Sequence, residues 1–131
     1  MSIQRKAFDS DKYVVKQVDS FTYAERVGRT VNSATDILFR SFSGTDTIVY
    51  IMAEAGDELI LTYNSIISEG EFRIVLISPI NDVSNILIHS EKGEKSFILE
   101  EGVSRIKFVG RESSGSVNLV LSGRIQLDYG R

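Results

Sequence analysis

The sequence predicts an all-β chain, an antiparallel β-sandwich of jelly-roll type with about eight strands and an irregular N-terminal arm. Three observations predict it. From Ile37 onward, β-branched and aromatic runs alternate with short Gly, Ser, Asn and Asp clusters. No long helical pattern separates those runs, which disfavours a parallel α/β fold. The length of 131 residues, 42% hydrophobic and 25% charged, suits one globular core.

Residues 1–36 read as the arm and 37–131 as the sandwich domain. In the arm, Val14, Val18 and Phe21 fit a helical stripe while Tyr13 and Val15 fit a strand, so periodicity leaves its conformation open. The arm is expected to pack on the sandwich, with a partner-binding tail as the alternative. Strands are then expected at 37–42, 45–53, 57–68, 71–78, 86–90, 96–99, 104–110 and 116–127. The breaks between them are Ser43-Gly44, Ala55-Gly56, Glu69-Gly70, Pro79 to Asn85, Lys92-Gly93, Glu101-Gly102 and Arg111 to Gly115. Glycine supplies positive φ there and the polar residues solvate the turn.

Alternation assigns faces. Leu59, Leu61 and Tyr63 share one side of a strand, as do Phe72, Ile74 and Leu76, Ile106 and Phe108, and Val117, Leu119 and Leu121; these form the expected core. The opposite sides carry Arg73, Arg105 and Lys107, but also Ile60, Ile66, Val75, Ile77 and Val120. That is too apolar for a sheet face left to water, so either the arm or a second copy in a homo-oligomer is expected to cover it.

Composition narrows function. A net charge of −3 argues against the broad positive field of a general nucleic-acid binder. With no cysteine, disulfides, thiolate metal sites and cysteine nucleophiles are excluded. No run reaches the ~18 apolar residues of a membrane span, and "MSIQRKAFDSDKYVVKQ" has no apolar leader segment, so the chain is expected to be soluble. A leader removed ahead of Met1 is compatible with that reading.

The segments "RSFSGTDTIVYIMAEAGDELILTYNSIISEGEFRIVLISP" and "GEKSFILEEGVSRIKFVGRESSGSVNLVLS" present an aromatic-containing strand, a Gly-Asp strand opener, a Glu-Gly hairpin, a strand ending before Pro and a Ser-Gly-Ser turn. In order and pattern this resembles small β-sandwich domains of Gram-positive cell-envelope lipoproteins and uncharacterised secreted proteins. The chain departs from the group in "SPINDVSN", where a Gly-containing turn is usual, and in the tail "GRIQLDYGR". The resemblance implies a sandwich on the outer side of a cytoplasmic membrane. It carries over no active-site residue.

Candidate chemistry is sparse. His89, the single histidine, must serve any imidazole relay, yet it sits at a strand end without a nucleophile elbow; "SGS" at Ser114 to Ser116 lacks the strand-turn-helix setting. One histidine and no cysteine make zinc improbable. The pairs Asp57-Glu58, Glu69/Glu71, Glu91/Glu94 and Glu100-Glu101 fall at turns and read as solvated charges, not as a glycosidase pair. Asp9 and Asp11 alternate in "FDSDK" but lack the remaining ligands of an EF-hand loop. There is no phosphate-binding glycine motif. Tyr23, Tyr50, Tyr63 and Tyr129 are conceivable stacking platforms for a sugar, against the ordinary reading of strand packing. Arg73, Arg105 and Lys107 form a basic spot for an anion if their strands are neighbours, against the ordinary reading of a solvated face.

The expectation is a non-enzyme without cofactor, metal or catalytic residues: a binding or interaction module of cell-envelope type whose partner is a protein or a glycan. Its alternatives are a structural assembly subunit (virion, spore-coat or appendage) and a carbohydrate-binding module. The expected location is extracytoplasmic, with the cytoplasm or a virion as alternatives.

Overall fold

The computed structural model describes residues 14–16, 19–31, 34–123 and 126–128. Eight strands form one antiparallel sheet: β1 (Phe21–Thr22), β2 (Glu25–Val31), β3 (Ala34–Ala53), β4 (Glu58–Ile77), β5 (Val83–Ile88), β6 (Glu91–Ile98), β7 (Gly102–Gly123) and β8 (Gln126–Asp128). β7 runs between β3 and β4 along its whole length. β5 and β6 pair with opposite ends of β4, while β1, β2 and β8 pair with β3.

The sandwich arises because the three long strands bend together. Their ladders lose register between Phe39 and Gly44 on β3 and between Ile67 and Glu71 on β4. At that level Ser41, Gly70 and Glu112, one on each strand, take φ of 53°, 75° and 50°. Only glycine fits at position 70, where a Cβ would lie 2.1 Å from the Glu112 carbonyl oxygen. Ser114 and Ser68 stitch the bend: Ser41 N donates to Ser114 Oγ at 3.1 Å and Ser68 Oγ to Ser114 O at 3.2 Å. One layer therefore holds β2, the start of β3, the end of β7, the start of β4 and β6. The other holds the second half of β3 with β1 and β8, the start of β7, the end of β4 and β5.

Alternating residues of both layers meet in one core. All the expected positions, from Leu59 through Leu121, belong to it, and Phe39, Phe42, Phe72 and Phe108 are fully buried at its centre. Phe39 stacks on Phe72 with centroids 5.1 Å apart, and Phe72 meets Phe108 edge-on at 5.2 Å. At the β5–β6 side, Lys95 Nζ donates to the Ile86 carbonyl at 2.7 Å, tying the layers together.

Several boundaries differ from expectation. Ser43-Gly44, Glu69-Gly70 and Arg111 to Gly115 are bends within continuous strands, because the neighbouring ladders carry on past them. Lys92-Gly93 is inside β6, and Gly93 sits where a Cβ would press on the Tyr63 hydroxyl at 3.2 Å. β1 and β2, ahead of residue 37, are already partners of β3.

The largest difference concerns Arg105 and Lys107, whereas Val75 and Ile77 are covered by the arm, one of the two covers expected for that face. The outer face of the second layer is covered by the arm: Val14 packs with Val75, Ile77 and Val109 in a second buried cluster. Arg105 and Lys107 are buried beneath the same segment, so the expectation of a solvated basic face is corrected. Long-range packing by a segment some ninety residues away in sequence is invisible to strand alternation. On the first layer the outer face stays open, with Val27, Leu38 and Ile66 exposed and Ile60 half-buried.

Candidate functional site

The ends of β4 and β5 are joined by the turn from Ser78 to Asp82, and two clefts flank it. The turn is organised by Ser78: its backbone N–H donates to Asp82 O at 2.9 Å, its carbonyl accepts from Asn81 N at 2.9 Å, and its Oγ accepts from Asp82 N at 3.0 Å. Asn81 takes φ of 65°, a left-handed conformation that asparagine tolerates better than most residues. Gly102 packs against Pro79, where a Cβ would stand 3.0 Å from the proline ring.

The first cleft, about 230 Å³, is lined by Tyr50, Ser78, Pro79, Asn81, Val103 and Arg105. Tyr50 of β3 and Arg105 of β7 are cross-strand partners and so share a face. Asn81 Oδ1 accepts from Arg105 Nη2 at 3.0 Å, and the same guanidinium donates to Val15 O at 2.9 Å and Lys16 O at 3.0 Å. Next to it, Lys107 Nζ lies 2.8 Å from Asp19 Oδ1 and 2.7 Å from Lys16 O. Asp19 completes its own coordination with Thr47 N at 2.7 Å and Thr47 Oγ1 at 3.0 Å. Burial pushes the pKa of Arg105 and of Lys107 down, and for Lys107 the hydrogen bond and charge of Asp19 oppose that shift.

The second cleft, about 180 Å³, opens between the layers and is lined by Leu76, Ser84, Phe97, Ile98 and Ser104 together with Asp82 and Glu100. Val103 and Ile98 are 45% and 68% exposed at the two clefts, and Ile80, at the turn between them, is 67% exposed. Asp82 and Glu100 are both exposed.

Of the four tyrosines considered as platforms, Tyr50 lines one of the two clefts at this turn. Tyr23 stacks on Phe42 at 4.6 Å and donates to Asp46 Oδ2 at 2.8 Å. Tyr63 is buried and donates to Glu91 Oε2 at 2.7 Å, an arrangement that lifts its pKa to about 12, first through burial and then through Glu91. Tyr129 lies outside the described residues, as do Asp9 and Asp11. His89 is an exposed turn residue between β5 and β6 with φ of 58°; its backbone carbonyl accepts from Ser65 Oγ.

The acidic pairs are dispersed. Asp57 Oδ2 accepts from Glu54 N at 2.9 Å, Glu71 pairs with Arg111, and Glu69 is exposed. Glu91 and Glu94 lie on opposite faces of β6, three residues apart on a strand. Among the described residues no cluster of three metal-ligating side chains occurs, and no helix is long and apolar enough to cross a membrane. Sequence reasoning named Tyr50 and Arg105 but missed Ser78 and Asn81, whose only signal was the Pro-containing turn.

No protein-family model matches this sequence, and no curated protein matches it. Among solved structures, the chain is similar to a module titled "CBM4 structure and function" (9% identity, TM-score 0.43, covering 95% of this chain and 100% of that one). It is similar also to "BiXyn10A CBM1" (10% identity, TM-score 0.41, covering 88% and 100%). A third is the enzymatically active domain of bacteriophage CBA120 tailspike protein 4 (9% identity, TM-score 0.44), where 97% of this chain spans only 21% of that one. Carbohydrate-binding modules and other β-sandwiches are thus among its structural neighbours.

Proposed function

We propose that this chain is a non-catalytic β-sandwich binding module whose ligand is a glycan, held at the clefts around the Ser78–Asp82 turn, and that it works on the outer side of a cell envelope. The observation that carries the ligand is the first cleft: a half-buried tyrosine, Tyr50, beside hydrogen-bonding groups of Ser78, Asn81 and Arg105. A sugar ring needs that combination, an aromatic face for its C–H surface and rigid polar groups for its hydroxyls. The cleft lies below the ~300 Å³ of a drug-sized pocket, which suits one ring or a chain end. The cell-envelope setting rests on the sequence resemblance.

The test is a glycan-array screen of the full chain followed by NMR titration of the best hits, with Tyr50→Ala as control. Binding that shifts the amides of Ser78 to Asp82 and disappears in a folded Tyr50→Ala protein is expected. An array without hits, or unchanged binding by Tyr50→Ala, rejects the reading.

A second reading, an assembly subunit, is favoured by one observation: Val27, Leu38 and Ile66 fall on one cross-strand row of the open face, 56%, 51% and 61% exposed. Light scattering that shows a concentration-dependent oligomer, lost on Leu38→Glu, supports it; a monomer at high concentration removes it.

A further inference from the structure

We infer that the first cleft selects an acidic sugar, with the carboxylate of a uronic acid seated against the Arg105 guanidinium; this rests on the glycan reading above. The inference comes from a charge count in a buried place. Arg105 is 4% exposed and lines the cleft, and its hydrogen-bond acceptors are the Val15 and Lys16 carbonyls and the Asn81 amide oxygen, all neutral. Among the described residues no carboxylate lies within ion-pair distance of it. The nearby Asp19 carboxylate is taken by Lys107 at 2.8 Å. Among the described residues, then, two buried cations share the one Asp19 carboxylate, and Arg105, the one without the direct ion pair, stands at the side of the cleft.

A buried charge without a counter-ion is costly, and chains seldom keep one unless something else compensates it. The arm carbonyls account for part of the compensation, but three hydrogen bonds leave two of the five guanidinium N–H groups, at Nε and Nη1, without a protein acceptor among the described residues. A ligand carboxylate would supply both the missing charge and charge-assisted hydrogen bonds. Tyr50, next to Arg105 on the same face, gives the sugar ring a surface while its carboxylate meets the guanidinium. Ser78 and Asn81 line the same cleft, Asn81 in direct contact with the guanidinium.

Oligogalacturonate and oligoglucuronate should be titrated into the full chain by calorimetry beside their neutral galactose and glucose counterparts, with acetate and a tripeptide bearing a free C-terminus as further probes. The uronates should bind at least about tenfold more tightly than the neutral sugars. Arg105→Gln tests the residue directly but also loosens the arm, so Asn81→Asp is the decisive variant. It places a carboxylate on Arg105 from the cleft side and leaves the arm contacts in place; because Asn81 itself lines the cleft, the quantity read is the ratio of uronate to neutral-sugar affinity, which should fall to parity whatever happens to both affinities together. Equal binding of acidic and neutral sugars overturns this inference and leaves the glycan reading standing, as does a preference that survives Asn81→Asp. Binding of the tripeptide as tight as that of the uronates overturns the sugar assignment. No binding of any sugar overturns both.

Discussion

Replacing Asp19 by alanine should be among the most damaging substitutions in the arm. The Asp19 carboxylate meets Lys107 Nζ at 2.8 Å, with the side chains 17% and 0% exposed, and also accepts from Thr47 N and Oγ1. Removing it strands a fully buried ammonium with the Lys16 carbonyl as its remaining acceptor among the described residues. Breaking a buried ion pair from one side costs about 3–5 kcal/mol, against the ~1 kcal/mol or less of an exposed pair. The orphaned Thr47 N–H adds to the penalty without summing simply with it. One route limits the loss: the arm can lift so that Lys107 reaches water, and the cost then equals the free energy of arm docking. Urea unfolding reads the first outcome as a lower midpoint at unchanged slope, and hydrogen exchange reads the second as lost protection at Thr45 and Thr47, whose amides bond to the arm. In the Asp19→Ala background, Lys107→Met removes the stranded charge and should recover a large part of the loss. An Asp19→Ala cost below about 1 kcal/mol, or a double variant as unstable as the sum of its single ones, would refute the reasoning.

Phe108→Ala, emptying a fully buried site between Phe39 and Phe72, should cost about 3–5 kcal/mol in urea unfolding; a loss below about 1 kcal/mol would contradict the core assignment. Glu91 is held below its usual pKa, first by the Tyr63 hydroxyl, with Lys95 adding to this and desolvation opposing it. A depressed carboxylate stabilises the fold above its unfolded pKa of about 4.3 and loses that contribution as pH falls through the lower, folded value, so Tyr63→Phe should flatten the acid limb of stability. Tyr63 itself, raised to about 12, should escape the phenolate absorbance rise that an ordinary tyrosine shows near pH 10, and stability should fall between those values. Deleting residues 1–20 uncovers Val75, Ile77 and Val109 and should bring dye binding or aggregation; a soluble, dye-silent truncation would show that the arm is dispensable as a cover.

The inner faces were legible because a two-residue period survives in the sequence wherever one side meets core: Leu59, Leu61 and Tyr63 alternate, and all are buried. The bends were half legible. Gly70 announces its left-handed backbone, but Ser41 and Glu112 adopt the same conformation with side chains that give no such signal. Arg105 and Lys107 read as water-facing because alternation identifies a face without saying what lies over it, and here the cover includes Val14, Val15, Lys16 and Asp19. The cleft joins β3, β7 and the Ser78–Asp82 turn, a meeting set by the ladder register and so not available from any one segment.

The shared bend of β3, β4 and β7 has a kinetic consequence. Because each of these strands begins in one layer and ends in the other, neither layer is complete until all three have crossed. Neither half can form a separate folding unit, and β7, the last long strand in the chain, must insert between two partners laid down earlier. Such distant pairings place folding at the slow end for single domains, on the order of milliseconds to seconds, in one concerted step. Hydrogen exchange should find the amides on both sides of the bend opening together, at the cost of unfolding the whole molecule.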